Sequence, residues 1–78
     1  MNINTIREHV KSGSFRPFEI HLVEGRVLPI PHPDFVLFAP ESTDFVVVTP
    51  ENAFNIVDAH SVTRIKITSR RTRSKSTS

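Results

Sequence analysis

Four histidines, eight carboxylates and no cysteine are the residues from which a reactive site could be built in this 78-residue chain. His9, His21, His32 and His60 are scattered, and no pair has a metal-ligand spacing such as His-x₃-His. His21 and His32 can approach across a hairpin, with Asp34 or Asp58 beside them. A carboxylate–histidine group of that kind binds a metal or moves protons. Histidines without a spacing pattern are more often structural, however. His32 stands between Pro31 and Pro33, where its backbone is restricted and its ring can bond a carbonyl and fix a corner.

Nucleophilic catalysis has no support. There is no cysteine, and the serines fall in a linker, in turns and in the last residues, without a nucleophile elbow or a partnered base. Gly13 and Gly25 are isolated, so no glycine-rich loop can cradle a phosphate. Glu19, Glu24, Asp34, Glu41, Asp44, Glu51 and Asp58 are spread over turns, where solvation accounts for them. The expectation is a non-enzymatic protein that needs no cofactor and no metal.

Charge offers a second kind of chemistry. The net charge is +2, but residues 69–78 hold Arg70, Arg71, Arg73 and Lys75 and no acid, which leaves −2 on the other 68 residues. The basic character belongs to the tail, and the body is mildly acidic. With Arg64 and Lys66 just before it, this tail can contact the phosphates of RNA or DNA, each contact adding roughly 0.7–0.9 to the salt slope. It has no aromatic residue for base stacking, so such binding would be weakly sequence-selective. Its Ser, Thr, Arg and Lys cannot bury a core, and the simpler expectation is a disordered, solubilising terminus.

Apolar surface is the third candidate. Six phenylalanines are many for so small a core, and Phe35, Phe38, Phe45 and Val47 are the expected interface with a second copy or a protein partner.

The elements that must carry these residues follow from periodicity. Ile3, Ile6 and Val10 mark one face of a helix over 2–12, capped by Asn2, Asn4 or a Thr5–Glu8 box and ended at Gly13. Phe18, Ile20 and Leu22 alternate with Glu19 and His21, a half-buried strand. Glu24-Gly25 turns the chain, and Gly25 supplies the positive φ. The return strand, 26–30, carries Pro29 and must be an edge or bulged there. After the His32-Pro33-Asp34 corner come strands near 35–39, 45–48, 53–57 and 62–67. Phe45-Val46-Val47-Val48 does not alternate, which predicts burial on both faces, in a central strand, a closed barrel or an oligomer contact. One domain over 1–68 and a basic tail over 69–78 complete the organisation.

The run Phe15-Arg16-Pro17-Phe18-x-Ile20-x-Leu22, Gly25-Arg26 and His32-Pro33 resembles a family of small uncharacterised bacterial proteins with a Pro-Phe entry, a Gly-Arg turn and a His-Pro corner. That resemblance implies no activity. A weaker one is to Sm-like barrels. Ile20-x-Leu22-x-Glu24-Gly25-Arg26 is similar to their first-motif hairpin, and Val57 to Ile65 has the apolar spacing of their second motif. Sm proteins typically bind RNA with Arg or Lys beside Gly in that second motif. Here the pair reads Asp58-Ala59, so the resemblance implies barrel geometry more than an RNA site.

The expected fold is mainly β: a short N-terminal helix, then about five antiparallel strands forming a small SH3-like or Sm-like barrel. No run approaches the roughly 18–20 apolar residues of a membrane span, and the N-terminus lacks the pattern of a secretory signal, so a cytoplasmic protein without membrane contact is expected. The leading functional expectation is a self-associating binding or assembly module. The alternative is an RNA- or DNA-binding protein that uses its tail.

Overall fold

The computed structural model describes residues 1–68. The predicted tail, with Arg70, Arg71, Arg73 and Lys75, lies outside the described residues. Helix α1 spans Ile3–Lys11, and Asn2 is its cap: the Asn2 side chain accepts from the Asn4 N–H at 2.8 Å. Ile6 and Val10 are buried. Nine residues are too few for a stable free helix, so burial of this stripe is what holds α1 in place. A second tie is the Met1 ammonium, which donates to the Ala59 carbonyl at 3.0 Å.

Strands β1 (Phe18–Leu22) and β2 (Val27–Ile30) form the predicted hairpin. The Gly25 N–H donates to the Leu22 carbonyl at 2.9 Å, and Gly25 takes φ 107°. Phe18, Ile20 and Leu22 point inward, as their alternation predicts, and all three are buried. A short 3-10 turn, Pro33–Phe35, makes the corner and leads into β3 (Val36–Phe38). Strands β4 (Asp44–Val48) and β5 (Phe54–Asp58) follow. A second 3-10 turn, Ala59–Ser61, leads into β6 (Val62–Ile67). Its start is capped by the Asp58 carboxylate, which accepts from the His60 N–H at 3.0 Å.

The six strands form two antiparallel three-stranded sheets, ordered β2-β1-β6 and β3-β4-β5. Both bury their inner faces in one apolar cluster with α1, centred on Ile6, Phe18, Ile20, Ile30, Phe45 and Val47. Each such side chain contributes about 1.5–3 kcal/mol by leaving water.

The expected barrel is not closed: among the described residues no ladder joins one sheet to the other. The physical reason lies at Pro29, Pro31 and Pro33. A strand that bends from one sheet into the next must keep donating along its length, and prolines cannot. The chain breaks instead into β2 and β3 with a 3-10 corner between them, at the predicted His32-Pro33-Asp34 corner, and all six strand segments read from the sequence form separate strands. No helix of the described residues is long and apolar enough to cross a membrane.

Candidate interaction surface

Sheet β3-β4-β5 owes its two faces to strand parity. Phe45 and Val47 of β4 point inward, and so do Val36 and Phe38 of β3 and Val57 of β5. Leu37, Val46 and Ile56 point the other way, and the register places them side by side across all three strands. Val48 and Phe54 form a second, adjacent row. The outer face thus carries two apolar rows. Leu37 is 55 % exposed, Phe54 71 % and Ile56 78 %, while Val46 and Val48 are half-buried. An Asp44–Asp58 pair bounds the rows at one end.

The predicted interface residues occupy other places. Phe45 is 1 % exposed and Val47 is fully buried, so neither can meet a partner without unfolding the sheet. Phe38 is half-buried, tilted against Phe45 at 5.8 Å, and roofed by Arg7, whose guanidinium carbon stands 5.2 Å from its ring centroid. Phe35 is half-buried beside the ring of His32. The apolar surface instead consists of the opposite parity, Leu37, Val46, Val48, Phe54 and Ile56. Alternation puts Phe54 and Ile56 on one strand face, and Val46 and Val48 on the face that Phe45 and Val47 do not share, but it does not say which of the two faces the core. β4 is central, as its unbroken apolar run predicts, but only one of its faces is covered.

The polar candidates are dispersed. His21 Nε2 lies 3.1 Å from Glu19 Oε1 on the outer face of the other sheet. His9 bonds the Thr5 carbonyl through Nδ1 at 2.9 Å. His32 starts the 3-10 corner without a side-chain cap bond. Among the described residues no hydrogen bond or ion pair joins His21, His32 and Asp34, and no group of three His, Asp or Glu could hold a metal. His60 Nδ1 lies 3.1 Å from Asp58 Oδ1. The bond from the His60 N–H, helped by the charge of the His60 ring, holds the Asp58 carboxyl below its ordinary value. Both groups are exposed, and the pair serves as a turn cap.

Arg64 and Lys66 are exposed on β6, opposite His21 and Glu19 of β1. Arg26, paired with Glu24, reaches across the gap between the sheets to Asn55 Oδ1 at 3.4 Å. It lines an open cleft of about 380 Å³ with Val27, Pro29 and Thr49. Glu51, Ala53 and Asn55 of the β4–β5 side also line it.

No protein-family model, curated protein or solved structure matches this chain.

Proposed function

We propose that this chain is a small, non-enzymatic binding or assembly module that associates with copies of itself. The observation that carries this reading is the bare apolar surface on β5, where Phe54 and Ile56 are more than two-thirds exposed. Surface apolar residues scattered singly need no explanation, but these stand in register beside Val46, Val48 and Leu37 as one patch. A domain this small also gains from association, since its own core is limited. The two sheets around one core read as an opened version of a small SH3-like or Sm-like barrel. A reducing, cytoplasmic setting suits the cysteine-free sequence. Light scattering across a dilution series tests the reading: the mass rises above that of one chain as concentration increases. A single-chain mass at the highest concentration refutes it.

A second reading, RNA or DNA binding, is favoured by one feature. Arg64 and Lys66 are exposed two residues apart on β6, so they share a face, and β6 leads directly to the basic residues of the tail. Binding of a labelled oligonucleotide at low and high salt, with and without residues 69–78, tests it. Loss of binding on truncation and at high salt supports it, and equal inertness of both forms removes it.

A further inference from the structure

The amino group of Met1 is seated in the fold. Its ammonium donates to the Ala59 carbonyl at 3.0 Å and to the Val62 carbonyl at 3.5 Å. Both acceptors belong to buried residues at the second 3-10 turn, where β5 passes into β6. The Ala59 carbonyl already accepts from the Val62 N–H, and the ammonium takes its second lone pair. The Met1 side chain packs against the apolar cluster, and the next residue, Asn2, caps α1. Met1 therefore staples the start of α1 to the β5–β6 junction.

Local helix physics opposes a cation in this position. The N-terminus of a helix carries a partial positive charge, so an ammonium one residue before the cap is unfavourable there. The first turn of α1 holds no acid to offset it. Acylation of the amino group removes the charge. If α1 were held by its own turns and cap alone, acylation would therefore stabilise it. The seat reverses the sign. The bonds from the ammonium to the two carbonyls are charge-assisted, roughly twice as strong as neutral ones. An acylated nitrogen keeps one N–H, has no charge and carries a carbon where a donor stood. The loss of these long-range bonds outweighs the gain at the helix dipole, whose reach ends within the first turn.

We infer that the Met1 amino group is a modification-sensitive site: its seat takes the free amine and rejects a formylated or acetylated one, and acylation there loosens α1 from the core. With the amine free, Ile6 and Val10 stay buried. With the amine acylated, α1 loses its tie to Ala59 and Val62, and a nine-residue helix does not persist without such contacts. Opening of α1 then exposes its apolar stripe and the core beneath it.

Full-length chains made by chemical synthesis, alike except at one nitrogen, test this. Acetylation of the Met1 nitrogen should speed hydrogen exchange at the amides of residues 7–11 at least about tenfold and lower the melting temperature. Acetylation of the exposed Lys66 Nζ removes one charge elsewhere and should change neither. A chain with one glycine added before Met1 keeps a charged amine but moves it about 3.8 Å along the chain, out of the seat. It should behave like the Met1-acetylated chain. Exchange that is unchanged or slower on Met1 acetylation, with an equal or higher melting temperature, overturns the inference. So does a glycine-extended chain that matches the unmodified one, because the seat then selects nothing.

Discussion

Two residues carry local structure that single substitutions can test. Gly25 holds φ 107°, and nothing lies within 4 Å of where a Cβ would be. The cost of Gly25→Ala is therefore backbone strain alone, about 1–2 kcal/mol, read as a lower urea midpoint with an unchanged slope. An unchanged midpoint would show that the turn relaxes. Asp58 is the titrating counterpart. Its carboxyl is held below its ordinary 3.8 by the His60 N–H. A depressed folded-state value means that its stabilising contribution is complete above that ordinary value and is lost as pH falls through the lower one. The difference in melting temperature between the wild type and Asp58→Ala should shrink on acidification from about pH 5 to pH 2. A difference that is flat across this range would contradict the cap. Gly25 was legible in the sequence because only glycine suits that turn. The Asp58 cap was not, since it depends on a 3-10 turn that hydropathy does not mark.

Among the elements, α1 is short and depends on contacts beyond itself. Ile6 is fully buried, and Ile6→Ala should cost about 2–5 kcal/mol. Asn2→Ala removes the cap bond to the Asn4 N–H and should cost about 1 kcal/mol. If Ile6→Ala were as mild as Asn2→Ala in thermal unfolding, α1 would not be part of the core. The helix and the first hairpin could be read from the sequence because each has a clean period, 3.6 residues in Ile3-Ile6-Val10 and two in Phe18-Ile20-Leu22. The second sheet was harder. Phe45-Val46-Val47-Val48 is apolar at every position, so periodicity could not say which parity faces the core. Burial of Phe45 and Val47 decides it and moves the candidate surface to Val46, Val48, Phe54 and Ile56. The prolines at 29, 31 and 33 were visible as an interruption. That they leave two sheets with no ladder between them depends on where β3 then pairs, which is a long-range matter.

At the scale of the whole molecule, two sheets and a helix enclose one small core, while the outer face of β3-β4-β5 stays apolar. A contiguous exposed apolar patch marks an interaction surface. This arrangement makes self-association the central claim. Its most direct test is the mass of the chain by light scattering over a dilution series, with Ile56→Asp run beside the wild type. The wild type should rise above 8.8 kDa as concentration increases, while Ile56→Asp should stay at the lower mass with an unchanged circular dichroism spectrum. A wild-type mass of one chain at every concentration, or identical curves for the two proteins, would contradict the account.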